Sequence, residues 1–451
     1  SFLYSLVFQC YHWYKNAQGT YWGMAFFVAI WMSFEKFHLN WELTWPWLNL
    51  GNAFSDYPKL IQWYDTLGAT GGSFWILIIN LLIFYTVRIW QAGRKRKDLI
   101  INISATVILI GVPMIISLIK FNQFNEKPIG EVNVLMLQPE LDPYNEKYQK
   151  DSITIQNDLL SLAENNTKGK IDYYIAPETA IPGSGSISET AFEKSYLLNN
   201  VKGFLAKHPG SVFATGISSH RYFFGENNLP KDAYQINNGV WVERYNTAVQ
   251  IIPNQKVEVY HKGKLVPGVE IFPYMNVLKP LLGDAMINLG GTVASLGTDK
   301  ERVAFSNPFN KGKIAPIICY ESIYGEFVTD YVKKGANFLG IMTNDSWWGV
   351  TEGHKQLLSY AKLRAIETRR EIARSANSGI SAHINAKGEI LEDTFYGDKT
   401  ALFAKIKLYE GETFYVRAGD FLSRVSIFAL GFLLFYYLIK RFQNKMASKK
   451  A

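Results

Sequence analysis

Four long apolar stretches and a central alternation of short apolar runs with amphipathic ones divide this chain. Tyr21–Phe34 is apolar up to Glu35, Gly71–Val87 is apolar up to Arg88, and Leu99–Ile119 carries no charge at all. A bilayer span needs about 20 apolar residues, so Leu99–Ile119 reads as the clearest membrane helix. Pro113 inside it is tolerable because neighbouring groups can satisfy the carbonyl it frees. Phe421–Ile439 is the last such stretch, with Arg424 near one end where it can snorkel. Tyr21–Phe34 is short for a span and competes with a buried soluble helix. Phe2–Phe8 reads as the tail of a cut membrane helix, because the chain opens at Ser1 inside an apolar stretch. Asn40–Trp63, with Trp41, Trp45 and Trp47, has the aromatic content of an interfacial loop.

The middle of the chain has a different rhythm. Val132–Leu137, Ile171–Ala176, Val212–Ile217, Thr247–Ile252, Val257–Tyr260, Ile314–Ile318 and Phe338–Met342 read as strands. Ile153–Ala163, Glu189–Ala206, Glu326–Lys333 and Lys355–Arg374 read as helices. In the last, Leu358, Ala361, Ala365 and Ile366 share a face. Such alternation predicts an α/β domain of layered sheets and helices.

Charge orients these parts. The net charge is +8, but the basic residues cluster beside apolar spans, at Arg94–Lys97 and from Lys440 to Lys450. That is a topology signal and not a groove for phosphates, so no nucleic-acid partner is expected. Both basic segments are expected in the cytoplasm. One span separates each from the middle region, which then lies outside it. The expected organisation is 1–120 transmembrane helices lacking the first few, 121–420 the α/β domain, 421–440 the last transmembrane helix and 441–451 a basic tail. Two cysteines make no disulfide framework. Zinc-ligand spacing, a Gly-rich phosphate loop and a Ser-nucleophile elbow are missing, so neither metal nor cofactor is expected.

The candidate chemistry sits where strands end. Cys319 closes the run Ile314–Ile318, Glu178 follows Ile171–Ala176, and Lys262 follows Val257–Tyr260. Taken alone, Cys319 is a small core hydrophobe, Glu178 a turn-capping carboxylate and Lys262 a surface lysine. At neighbouring strand ends the three make a nucleophilic site. Glu178 takes the thiol proton, and Lys262 with the Tyr320 amide holds the charge on a tetrahedral intermediate.

The same residues resemble a known family. Ala176-Pro177-Glu178, Tyr260-His261-Lys262 and Ile318-Cys319-Tyr320-Glu321 occur in the order and form of the Glu-Lys-Cys triad of the nitrilase superfamily. The flanking sequence is similar to its membrane branch, the apolipoprotein N-acyltransferases. Lys262 with Leu265-Val266-Pro267 and Glu270, Thr343-Asn344-Asp345-Ser346-Trp347-Trp348-Gly349 and Arg374-Ser375-Ala376-Asn377 carry that likeness. A departure is Gly268-Val269 before Glu270, where the family has an aromatic and then Gly.

The resemblance implies a nitrilase-like αββα sandwich inserted between transmembrane helices of a bacterial inner membrane, with its catalytic domain in the periplasm. It implies that Cys319 takes an acyl group from a membrane phospholipid as a thioester. The group then passes to the amine of a diacylglyceryl-modified apolipoprotein. Glu270 would orient Lys262 and the incoming amine, Glu321 would tune the lysine or form a salt bridge, and Trp347 and Trp348 would line the acyl path. Two alternatives stay open: a membrane-tethered amidohydrolase using water, and a non-catalytic scaffold.

Overall fold

A computed structural model describes residues 2–142, 146, 149–183, 185–275, 277 and 295–450. Its contacts separate two compact units. One comprises Ser1–Gln123 with Ala418–Ala451, the other Phe124–Arg417.

The first unit is helical. Helices α1 (Phe2–Gln18), α2 (Thr20–His38), α3 (Tyr64–Gln91) and α4 (Arg96–Asn122) are joined by the C-terminal helix Phe421–Lys450. Three of these, Tyr64–Gln91, Arg96–Asn122 and Phe421–Met446, are long and apolar enough to cross a membrane. The apolar stretch of α2 ends before Glu35, but the helix does not. It runs on to His38 and buries Glu35, which accepts from the Trp31 indole at 3.0 Å and the Leu50 amide at 2.9 Å. Inside α4, Pro113 has no N–H to give the Leu109 carbonyl. The Trp75 indole of α3 donates to that carbonyl instead, at 2.7 Å. The Trp-rich segment after α2 folds as three 3-10 turns, Pro46–Leu48, Leu50–Phe54 and Pro58–Leu60.

The second unit is an αββα sandwich. Its first sheet has the order β14-β1-β2-β4-β6-β5, with β3 beside β4 and β7 beside β6. These strands are β1 (Gly130–Gln138), β2 (Tyr173–Ile175), β3 (Ile187–Ser188), β4 (Val212–Phe224), β5 (Tyr234–Asn237), β6 (Val240–Ile251), β7 (Glu258–His261) and β14 (Thr400–Leu408). The second sheet has the order β13-β12-β11-β10-β9-β8. Here β8 is Phe305–Ser306, β9 Lys313–Ile318, β10 Phe338–Thr343, β11 Ile372–Ala376, β12 Ala382–Ile384 and β13 Ile390–Asp393. The central strands β2, β9 and β10 read as near-continuous apolar runs because both of their faces are covered. The sheets meet face to face: Tyr173 packs edge-on to Phe338 at 5.1 Å, and the Ser375 hydroxyl donates to the Leu137 carbonyl at 2.8 Å. Helices α5 (Ser152–Asn166) and α7 (Tyr196–Lys207) cover the outside of the first sheet, where Leu159, Leu198, Leu205 and Phe213 form its core. Helices α8 (Gly325–Lys333) and α9 (Glu352–Thr368) belong to the second sheet's side.

Two helix expectations are corrected. Glu189–Ala206 is not one helix but α6 (Glu189–Phe192) and α7, because Ser195 caps a new start by accepting from the Leu198 amide at 3.1 Å. The helix expected over Lys355–Arg374 ends at Thr368. Arg369 turns left-handed at φ 51° and the chain continues as β11. Arg370 and Arg374 are fully buried, and backbone carbonyls and Asp345 take their donors, so their charge does not mark a solvated helix face.

Candidate functional site

Glu178, Lys262, Cys319 and Glu270 converge beyond the ends of β2, β7 and β9. Glu178 lies three residues past β2, in a segment that crosses β4 closely. A Cβ at Gly216 would come within 2.3 Å of the Thr179 nitrogen and 2.7 Å of the Glu178 Cα. Only glycine at 216 lets the Glu178 loop lie there. Lys262 follows β7 directly, and its amide donates to the Asn246 carbonyl of β6 at 2.8 Å. Its side chain is 1% exposed, and its Nζ donates to Glu178 Oε1 at 2.8 Å and Glu270 Oε1 at 3.0 Å.

Glu270 is delivered by a tight turn in which the Val266 carbonyl accepts from the amides of Val269, Glu270 and Ile271. Gly268 has φ 82°, and exposed Val269 takes no part in the packing. The departure from the family pattern therefore leaves the carboxylate in place. Its Oε2 accepts from the Val266 amide at 2.9 Å.

Cys319 opens the 3-10 turn Cys319–Ile323 with φ 46°. A left-handed residue with a Cβ costs about 1–3 kcal/mol and persists only where its surroundings enforce it. Glu321 does so. Its Oε2 accepts from the Ile318 amide at 2.8 Å and Tyr331 hydroxyl at 2.9 Å, and its Oε1 from the Gly263 amide and Tyr260 hydroxyl, both at 2.6 Å. Glu321 is thus bound to the backbone beside the lysine and the thiol and to two tyrosines. Burial raises the Glu321 carboxyl, against these donors and the Arg302 charge. The Tyr320 ring stands edge-on to Tyr324 at 5.3 Å.

The electrostatics follow from burial. Burial and then the Glu178 charge push the Cys319 thiol well up, opposed by Lys262 and a hydrogen bond with Thr343. Burial alone would lower Lys262, but Glu178 and Glu270 hold it well above its ordinary value. The resting arrangement is a neutral thiol beside an ammonium shared by two carboxylates. That set can deprotonate the thiol as it attacks and stabilise an oxyanion.

Sequence reasoning missed Asn246. Its Nδ2 donates to Glu178 Oε1 and Glu270 Oε1, both at 2.7 Å, so one amide ties the two carboxylates together. It stands one residue before the expected strand start at Thr247, inside the longer β6, and only its polar type on a buried strand could have signalled it. Thr343 was seen only as part of a motif. Beyond β10, the Asn344 amide donates to Glu178 Oε2 at 3.2 Å, and Arg374 grips Asp345 with bonds of 3.1 and 2.9 Å. Trp347 and Trp348 follow on the turn Asp345–Trp348, 45% and 38% exposed. No group of metal-ligating side chains occurs among the described residues.

Comparison with known proteins gives two family matches. The Carbon-nitrogen hydrolase family matches residues 147–413, and the Apolipoprotein N-acyltransferase N-terminal domain matches residues 1–82. The chain is 26% identical over 437 residues to an apolipoprotein N-acyltransferase of Chlorobaculum tepidum, covering 96% of this chain and 80% of that one. It is 27% identical over 426 residues to that of Haemophilus influenzae, covering 93% and 75%. Among solved structures, a CN-hydrolase superfamily protein from Xanthomonas campestris aligns at TM-score 0.42 with 14% identity, over 62% of this chain and 91% of that one. A nitrilase-superfamily member from Saccharomyces cerevisiae aligns at 0.43 with 13% identity, over 65% and 95%.

Proposed function

Because this chain belongs to the carbon–nitrogen hydrolase family, in its apolipoprotein N-acyltransferase branch, we propose that it moves a phospholipid acyl chain through Cys319 onto a lipoprotein amine. The observation that carries the reading is the Lys262 ammonium, buried between Glu178 and Glu270 and within electrostatic reach of the Cys319 thiol.

In the first half-reaction Cys319 Sγ attacks the ester carbonyl of the phospholipid, and Glu178 takes the thiol proton. Lys262 and the Tyr320 amide stabilise the oxyanion. The ester C–O bond breaks, Glu178 returns the proton to the leaving oxygen, and a lysophospholipid departs. In the second, the α-amine of a diacylglyceryl-cysteine attacks the thioester. Its proton passes to Glu178, the C–S bond breaks, and Cys319 recovers its proton. Glu270 and Asn246 hold Lys262 and Glu178 in register throughout. Trp347 and Trp348 line the acyl path.

The chain is a bacterial membrane protein whose Phe124–Arg417 unit faces the periplasm, with Arg94–Lys97 and the C-terminal lysines cytoplasmic, as the placement of positive charge directs. Intact-mass measurement after incubation with phospholipid tests the chemistry. An acyl adduct that vanishes in Cys319→Ala and survives in Cys10→Ala supports it. An adduct that persists in Cys319→Ala refutes it.

A further inference from the structure

The residue before the lysine carries chemistry that the reaction above does not use. Side chains alternate along a strand, so Tyr260 and Lys262 face the site while His261 points to the opposite face of β7. There it is 2% exposed and lies between two carboxylates from different elements. Its Nε2 is 2.7 Å from Glu189 Oε1 at the start of α6, and its Nδ1 is 3.0 Å from Asp299 Oδ1 in the segment before β8. Asp299 Oδ2 also accepts the His261 amide at 2.9 Å.

A neutral imidazole has one N–H and one lone pair. It could donate to one of these carboxylates and would turn its lone pair on the other. Only the imidazolium donates to both. The remaining groups facing it fit a cation. The Tyr245 ring of β6 stacks on the imidazole at 4.0 Å, with its hydroxyl donated to Glu243 on the same strand. Arg221 of β4 neutralises part of Glu189 at 2.6 Å, and Ser219 donates to the same carboxylate at 2.8 Å.

We propose that His261 is a positioning residue, held as an imidazolium, that clamps the end of β7 and so fixes Lys262 against Glu178 and Glu270. The inference rests on Lys262 being the cation that supports the Cys319 thiolate and oxyanion. Burial would lower His261, but its bonds to Asp299 and Glu189 raise it above its ordinary value. Burial would raise Glu189 and Asp299, but the same bonds, the His261 charge and Arg221 lower both. The sign follows. The raised imidazolium contributes fully below about pH 6.5, the ordinary histidine value, and its contribution fades as pH rises through the folded value. The lowered carboxylates contribute above about pH 4.3 and fade as pH falls. The clamp is complete between those limits, opening on the alkaline side as the imidazolium is lost and on the acid side as the carboxylates are protonated.

The test combines two measurements on the full chain carrying Cys10→Ala. Side-chain ¹⁵N NMR of histidine-labelled protein, with His261→Gln giving the assignment, reads the charge. Both ring nitrogens should be protonated at pH 6, and a neutral tautomer there would overturn the inference. Iodoacetamide alkylation of Cys319 across pH then reads the thiolate without any acyl donor. His261→Gln should slow it about tenfold at pH 6.5, where the clamp is complete, as a thiol pKa raised by ~1 unit would, and Lys262→Met should slow it at least as much. If Lys262→Met slows alkylation and His261→Gln leaves the wild-type profile, the positioning role is wrong while the lysine's stands. If Lys262→Met has no effect, the lysine reading falls and this inference with it. Should His261→Gln not fold, Asp299→Asn keeps the imidazole, removes one charge and carries the same expectation.

Discussion

Glu321 accepts the Gly263 amide at 2.6 Å, so the carboxylate two residues beyond the thiol holds the chain one residue beyond the lysine. Its other oxygen holds the Ile318 amide just before the thiol. One fully buried side chain therefore sets both the left-handed turn at Cys319 and the path of the strand end that delivers Lys262.

Glu321→Gln is expected to break that coupling. An amide turns an N–H group toward two of the four donors that the carboxylate satisfies. Hydrogen bonds to charged groups are worth about 1.5–3 kcal/mol each, so thermal unfolding should show a loss of about 3 kcal/mol. Cys319 acylation should fall with it. Unchanged stability with unchanged acylation would mean that Glu321 fixes neither element.

Asn246→Leu should leave the fold intact and slow acylation. The bridge between Glu178 and Glu270 is lost, the two carboxylates repel without it, and Lys262 gains freedom. Losing both hydrogen bonds lets the catalytic groups shift, and a misplacement of about 1 Å at such a site costs up to about 100-fold in rate. Initial rates of adduct formation by mass spectrometry check this, and a wild-type rate would remove Asn246 from the site.

Gly216→Ala tests the crossing of the Glu178 loop over β4. The added Cβ meets backbone and not a flexible side chain, so relief requires moving Glu178. Overpacking costs about 1–3 kcal/mol, and adduct formation should drop by more than that stability loss explains. Wild-type rates would show that the loop tolerates displacement.

Arg374→Met should destabilise by about 3–5 kcal/mol, the range for breaking a buried pair from one side. It strands Asp345, which is 0% exposed and also accepts from Thr343 at 2.9 Å. Denaturant unfolding measures it. A loss below 1 kcal/mol would mean that water reaches Asp345.

The strand ends were legible because β2, β9 and β10 are buried on both faces and read as unbroken apolar runs, each closing on a chemically capable residue. The layered α/β domain and the long apolar helices followed from the same patterning, whereas the sandwich arrangement came from the family resemblance. Asn246 was not legible, because a polar residue inside β6 looks like the boundary of a shorter strand. The end of α9 was hidden for a related reason. Nothing in Glu367-Thr368-Arg369-Arg370 signals a stop, and the arginines beyond it look solvated until the carbonyls and Asp345 that satisfy them are seen. In the sequence His261 is only the residue between Tyr260 and Lys262. Its role depends on Glu189 and Asp299, which the sequence places far from it and the fold brings to one point.

Transfer in place of hydrolysis is the central claim, and it depends on the thioester outliving contact with water at about 55 M. The decisive measurement follows acylated Cys319 by intact mass after excess phospholipid is removed. With buffer alone the adduct should persist. A diacylglyceryl-cysteine peptide with a free amine should discharge it rapidly and appear N-acylated, and the same peptide with its amine blocked should discharge nothing. Loss of the adduct as free fatty acid without any peptide, at a rate comparable to transfer, would contradict the claim and make the protein a hydrolase.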